Sequence, residues 1–451
     1  MGKREFKNNH SKNGIEYLIT AAEYGARPNH KQLDTYEQYA KENKAEIIVI
    51  PIEGQWRGQS LHERFKNYNL VNDYTLCKEL EIKDFGIKSQ NINPLTGLRR
   101  FSSVNKSMIV ASPKQHLEFV ANSASYDPKA IMSTGVCTLP NYKEQHRIGK
   151  IGKEDHKQGA ILVDLEDNGY FHFRQIENNS NGTFTSLGRR YNPKGKSKFV
   201  GSDTLVVGDL HTYQMDMDAY NTTLDMIQYL KPKNIVLHDV FDGTSITHHD
   251  IGKLITRGRK SGIGATSLRD ELVDLGNTLN QLYNVSDDAN IYIVKSNHDE
   301  TLNKYLENVR FVGDSQNLEL SIRLATGMLD GRDPLQYGLN LVDSGLPSKI
   351  KFLQRDSELK RYGWHLSSHG DKGSSGTRGS IVNFEYTLGK AIVGHFHQPK
   401  IRKDIRSVGT LERMDVDYTK GSTGAWSATN AVIYKGGKSE LLNIFEGKYM
   451  L

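Results

Sequence analysis

The sequence predicts an α/β protein in two parts, an N-terminal α/β domain and a larger α/β core whose strands end in metal-ligating residues. Three observations carry this. From residue 203 onward apolar runs alternate with helical patterns; five of those runs end in Asp, Asn or His; and a basic stretch containing glycine and proline separates this region from the first one.

A chain of 451 residues is too long for one compact core. Mean hydropathy is −0.59, and no apolar run approaches the roughly 18 residues that a membrane span needs. The opening MGKREFKNNHSKNG does not lead into the apolar core of a signal peptide, so a cytoplasmic protein without membrane contact is expected. Cys77 and Cys137 are the only cysteines, which excludes a disulfide framework and a thiolate zinc cluster, whereas 16 histidines leave ample imidazole for metal. Residues 1–200 hold 30 Lys and Arg against 22 Asp and Glu, a net +8, and the remainder holds 29 against 31, a net −2. Such an excess suits a polyanion such as nucleic acid, or is ordinary solvated surface.

The elements follow in order. IEYLITAA reads as a strand, HKQLDTYEQYAKENK as a helix and AEIIVIPI as a second strand. SMIVASPKQHLEFVAN repeats the strand-then-helix pattern, with Pro113 near the expected helix start, and AILVDLEDNGYFHFRQI reads as two strands around an Asn168-Gly169 turn. No G-x-G-x-x-G or Walker sequence names a cofactor here. GRRYNPKGKSK, with five basic residues, is expected as a linker, giving domains 1–187 and 202–451 around a connection at 188–201. In the second domain TLVVGDLH precedes the helical DAYNTTLDMIQYLK. NIVLHDVFD precedes a segment in which Leu268, Leu272, Leu275, Leu279 and Leu282 mark one apolar helix face, and NIYIVKSNHDE, GWHLSSHGD and KAIVGHFH follow.

Five apolar runs thus end in Asp209 and His211, Asp239, Asn297 and His298, His369, and His395 and His397. Polar residues at the carboxyl ends of strands in one sheet converge on one crevice. In an extended segment His395 and His397 would face the same side, with Gly394 permitting a close approach. Carboxylate, imidazole and amide oxygen without thiolate suit a hard to borderline divalent ion, Mn²⁺, Fe²⁺ or Zn²⁺. The donors are too many for one tetrahedral site and enough for two ions, which together can clamp a phosphate and activate water.

The order D-x-H, D-x-x-D, N-H-D, H and G-H-x-H over about residues 203–435 resembles the calcineurin-like metallophosphoesterase superfamily, in its Mre11-like and phage nuclease form. YLITAAEYGARPNHK and GAWSATNAVIY also look like phage-encoded DNA-degrading phosphoesterases. The resemblance implies a β-sandwich core flanked by helices and two divalent ions, manganese foremost. Asp209, His211, Asp239 and His397 would hold one ion, and Asp239, Asn297, His369 and His395 the other, Asp239 bridging. It implies that His298 faces the scissile phosphate without binding metal, as general acid or as transition-state stabiliser, and that Asp242 matches the carboxylate that orients that histidine in some members. Two departures from the family pattern are His238 and Ser296, where glycines are usual.

Further candidates are His248 and His249 in SITHHD and Arg378 in HGDKGSSGTRGS as substrate contacts, each with a plain surface role as the alternative. The basic runs RGRK at 257–260 and KIRKDIR at 400–406 suit a nucleic-acid backbone or simple solvation, and Trp56, Trp364 and Trp426 are expected to be packing residues. The leading expectation is a dimetal phosphodiesterase acting on DNA. A phosphoprotein phosphatase, a cyclic-nucleotide or other small phosphodiesterase, and a binding protein without catalysis are the alternatives. A homo-oligomer and a host protein partner stay open.

Overall fold

The computed structural model describes residues 14–55, 59–102, 106–122, 128–166, 170–247, 253–414 and 423–449. Two compact units emerge, one of Met1–Val200 with Tyr449–Leu451, the other of Gly201–Lys448. Among the described residues no helix is long and apolar enough to cross a membrane.

The first unit opens as its sequence pattern predicts, with β1 (Ile15–Glu23), α1 (His30–Asn43) and β2 (Glu46–Ile52), β1 and β2 pairing in parallel. Asn29 caps α1 by accepting from the Gln32 backbone N–H, and Leu33, Tyr36 and Tyr39 of α1 pack on Leu18 and Val49. Next come β3 (Asn69–Leu70), β4 (Tyr74–Cys77), β5 (Leu80–Lys83), β6 (Ser107–Val110), β7 (His116–Val120) and β8 (Lys129–Ser133). After α2 (Arg147–Glu154), β9 (Gly159–Leu165) and β10 (Phe171–Glu177) form the expected antiparallel pair, although the Asn168-Gly169 turn lies outside the described residues. β10, β9, β1, β2 and β3 form one sheet in that order.

HLEFV, expected as a helix, is strand β7, antiparallel to β8. His116 and Glu118 alternate with Leu117 and Phe119, a period of two that the surrounding polar residues obscure. The stretch expected as a linker carries β12 (Arg189–Tyr191) and β13 (Lys198–Phe199), which with β11 (Phe184–Ser186) make a three-stranded antiparallel ribbon. Tyr191 explains this in part: it buries its ring against Phe184 and Tyr39, so the basic residues ride on an apolar anchor.

The second unit runs β14 (Thr204–Val206), α3 (Met217–Leu230), β15 (Asn234–Leu237), α4 (Leu254–Gly262), α5 (Leu268–Val285), β16 (Asn290–Val294), α6 (Glu300–Glu307), α7 (Leu318–Leu329), α8 (Pro334–Leu341) and β17 (Ile350–Leu353). Then follow β18 (Lys360–Arg361), β19 (Trp364–His365), α9 (Ile381–Thr387), β20 (Ala391–Val393), β21 (Lys400–Arg402), β22 (Ile405–Ser407), β23 (Ala428–Ile433) and β24 (Ser439–Ile444). Its principal sheet is ordered β17-β16-β15-β14-β23-β24, parallel from β14 to β17 and closed by the antiparallel hairpin β23–β24. Strands β18 to β22 form a second layer of pairing, tied to the first by the Arg361–Asp203 ion pair and by Trp364 Nε1 donating to Gly437 O. The five leucines of α5 are all fully buried, as the spacing predicts.

Candidate metal centre

The chain past β14 and β15 keeps pairing after the strands end. Leu210 N–H donates to His238 O and His211 N–H to Asp239 O, while Asp209 N–H donates to Gly409 O. Backbone bonding therefore draws Asp209 and His211 alongside Asp239, and Asn430 Oδ1 fixes the turn by accepting from Gly208 N–H. His211, Asp239, His395 and His397 all take φ between 45° and 73°. Each such residue costs about 1–3 kcal/mol, and strain of this kind gathers where side chains must be aimed. His395 and His397 are therefore not placed by an extended segment as the sequence suggested. β20 ends at Val393, and the left-handed turns that follow bring the His397 ring beside that of His211 and the His395 ring beside that of His369.

Asp209, His211, Asp239 and His397 are buried, and one donor atom from each lies within 4.8 Å of all the others. His397 Nε2 is 3.2 Å from Asp209 Oδ2 and 3.2 Å from His211 Nε2, and His211 Nε2 is 3.8 Å from Asp239 Oδ2. His369 Nε2 lies 3.1 Å from the same Asp239 Oδ2 and 3.1 Å from Asn297 Oδ1. The His395 ring is 5.2 Å from that of His369, and His395 N–H donates to Asp209 Oδ2. The seven residues expected as metal ligands thus lie together around Asp209 and Asp239.

The donor set fits divalent cations. Asp209 Oδ1 and both oxygens of Asp239 are buried without a hydrogen bond, an expensive state for carboxylates that positive charge would relieve. All the donors are nitrogen or oxygen, and both cysteines belong to the first unit. The neighbouring imidazoles respond to the same carboxylates. Burial works to lower the pKa values of His211 and His369, but Asp242 and Asp239 beside His211 push it up to about 10, and Asp239 beside His369 pushes it up to about 9. Burial opposes ionisation of Asp239 too, and the charges of His369, His298 and His211 overcome it, holding the carboxyl well below its usual range.

Supporting residues complete the centre. Asp242 Oδ1 takes His211 Nδ1 at 2.7 Å and its Oδ2 accepts from Tyr213 N–H at 2.7 Å. Asp242, expected to orient His298, hydrogen-bonds His211 Nδ1, and one donor atom each of His211, Asp242 and His298 lie within 4.8 Å of one another. The half-buried His298 stands with its ring 4.8 Å from that of His211. Glu412, fully buried, places Oε2 3.7 Å from His397 Nδ1. Asp299 links two strand-end loops, accepting from Phe241 N–H and from Ser296 N–H. Neither Glu412 nor Asp299 was singled out from sequence, although Asp299 directly follows the Asn297-His298 pair.

The two departures have clear outcomes. His238 is fully buried with both ring nitrogens unpartnered; burial and the charge of His369 lower its pKa to about 4, so the ring is neutral packing and does not reach outward. Ser296 accepts from Asp299 N–H through Oγ and stiffens the turn. A Cβ at Gly394 would stand 2.2 Å from Asp209 Oδ1 and 3.0 Å from His238 Cβ, which explains the glycine. Arg378 is exposed on the loop closed by the Lys372–Arg378 bridge, and none of the contacts described at the centre reaches it. His248 and His249 lie outside the described residues.

No family model matches the chain. It is similar to Protein A1 of Escherichia phage T5, 27% identical over 469 aligned positions that cover 97% of this chain and 83% of that protein.

Proposed function

We propose that the protein is a dimetal-dependent phosphodiesterase that hydrolyses DNA, encoded by a phage and working in the host cytoplasm. The observation that carries the reading is the convergence of Asp209, His211, Asp239, Asn297, His369, His395 and His397 around carboxylate oxygens that lack hydrogen bonds. The similarity to a phage protein along almost the whole chain supports the phage origin, and the resemblance of the sequence motifs to those of DNA-degrading phosphoesterases supports the substrate.

In this reading Asp209, His211, Asp239 and His397 hold one cation, and Asp239, Asn297, His369 and His395 the other. Manganese suits these donors, with iron or zinc as substitutes. Bound divalent ions supply charge neutralisation for a phosphodiester and activation of water. The protein's own part is orientation and proton transfer. Asp242 and Tyr213 N–H fix the His211 ring, Asp299 holds the loops after β15 and β16 together, and His298 protonates the departing oxygen.

The test is incubation of the purified protein with linear and supercoiled duplex DNA, with Mn²⁺ or with chelator, beside His298→Ala. Degradation that needs the ion and falls by roughly 10²-fold or more in the variant is expected. Intact DNA together with rapid hydrolysis of a phosphomonoester would replace the nuclease reading with a phosphatase.

A further inference from the structure

Beside the metal centre, at the carboxyl ends of β16 and β17, the second unit holds a cavity of about 430 Å³. None of the seven residues assigned to metal lines it. Its walls nonetheless continue from the same loops: Lys295 precedes Ser296-Asn297, Glu300 follows His298 by two residues, and Arg355 grips Asp371 through two bonds of 2.7 and 2.9 Å. Asp371 follows His369 by two. Neighbouring strands lie about 4.8 Å apart, so the end of β17 is about 10 Å along the sheet edge from the end of β15, which carries Asp239.

The chemistry of the lining is unusual for a pocket of this size, because every lining residue is polar. Four of its seven charged side chains pair with each other. Lys295 Nζ is 2.7 Å from Asp333 Oδ2 and 3.3 Å from Asn303 Oδ1, and Arg355 Nε is 2.8 Å from Glu300 Oε1. Four carboxylates face three cations, which disfavours a phosphate inside. A compact, uncharged group with many donors and acceptors is what such walls satisfy.

We infer that this cavity is a nucleoside subsite, holding the base and sugar next to the phosphodiester while the phosphate stays at the metal centre. The inference rests on the phosphodiesterase reading and sharpens it. A cutter of phosphodiesters in general needs no such pocket, whereas one that grips a nucleoside beside the scissile bond selects nucleic acid. Asn303 and Gln354 are the amides able to pair with a base edge, and the Lys295–Asp333 and Arg355–Glu300 pairs keep the walls rigid.

The experiment is saturation-transfer NMR on the full chain in chelator, with the four deoxynucleosides and with deoxyribose as probes, beside Gln354→Trp and Asn303→Leu. Because the probes lack phosphate, the metal centre takes no part. Transfer from at least one nucleoside to the wild type, exceeding that from deoxyribose and lost in Gln354→Trp, is expected. No transfer, or transfer unaffected by either substitution in variants that keep the wild-type melting temperature, would overturn the subsite. Hydrolysis of bis(4-nitrophenyl) phosphate with Mn²⁺, measured alongside, reports the phosphodiesterase reading by itself. Nucleoside binding without hydrolysis of that ester sinks the enzyme and keeps the pocket, and hydrolysis without nucleoside binding does the reverse. Where both hold, the ratio of kcat/KM for a thymidine-containing diester to that for the nitrophenyl ester should fall roughly tenfold or more in Gln354→Trp.

Discussion

Individual side chains decide the candidate metal centre, and the most exacting of them is one that is missing. A methyl at position 394 would overlap Asp209 Oδ1, so Gly394→Ala must push a buried carboxylate or the His395 turn aside. Calorimetric titration with Mn²⁺ should show at least about tenfold weaker binding in that variant, since displaced ligands lose more than second partners do. Asp242→Asn tests the orienting bond instead. It keeps volume and fold but weakens the hold on His211 Nδ1, and is expected to reduce Mn²⁺ affinity by about 10–100-fold with an unchanged far-UV spectrum. The strand-end residues were legible because aspartate, asparagine and histidine stand at the ends of apolar runs. Glu412 and the Asp242–His211 bond were not: Glu412 follows no strand, and that bond depends on a positive φ at His211 that its identity does not announce. Only glycine openly declares such backbone, and four of these positions are not glycine.

Among the elements, α5 shows what periodicity can settle. Its leucine face is buried as spaced, and Leu275→Ala is expected to cost about 2–5 kcal/mol in urea unfolding by leaving a cavity. The same helix carries Glu271, whose carboxylate accepts from Thr244 N–H, Ser245 N–H and Ser245 Oγ at 2.9, 3.0 and 2.6 Å. Burial raises its pKa from 4.5 to about 7; the Ser245 hydroxyl bond pulls the other way, and the charge of Asp242 adds to the rise. The folded protein then holds a proton that the unfolded chain has already released, so this stabilisation is complete below the ordinary carboxyl value and is lost as pH rises through about 7. The melting temperature of Glu271→Gln, relative to wild type, should accordingly move in the variant's favour between about pH 5 and about pH 8; a constant difference would mean the carboxyl titrates normally. Where elements were misread, short-range pattern was the cause. HLEFV alternates for only five residues, too few to outweigh a proline that also suits a helix start, and the ribbon at β12 and β13 hides one anchoring tyrosine among basic residues.

At the scale of the molecule, charge and chain order matter more than any contact. The net +8 of residues 1–200, beside a nearly balanced remainder, leads to an expected steep loss of DNA binding between about 50 and 200 mM salt in chelator, read by fluorescence anisotropy. A flat response would leave the basic excess as solvated surface. The α/β class was readable from the alternation of strands and helices, whereas the closing of the principal sheet was not, since β14 takes as neighbour a strand from the far end of the chain. That pairing has a consequence in time. Gly208, which sets the turn before Asp209, is held by Asn430, 222 residues later. At about 5–20 residues per second, a ribosome needs roughly 10–45 s to travel between them. Throughout that interval the growing chain has its first aspartate and histidine without the strand that seats them. The cluster around Asp209 is therefore complete only once residue 430 has emerged, and truncations before that residue are expected to lose Mn²⁺ binding in calorimetric titration.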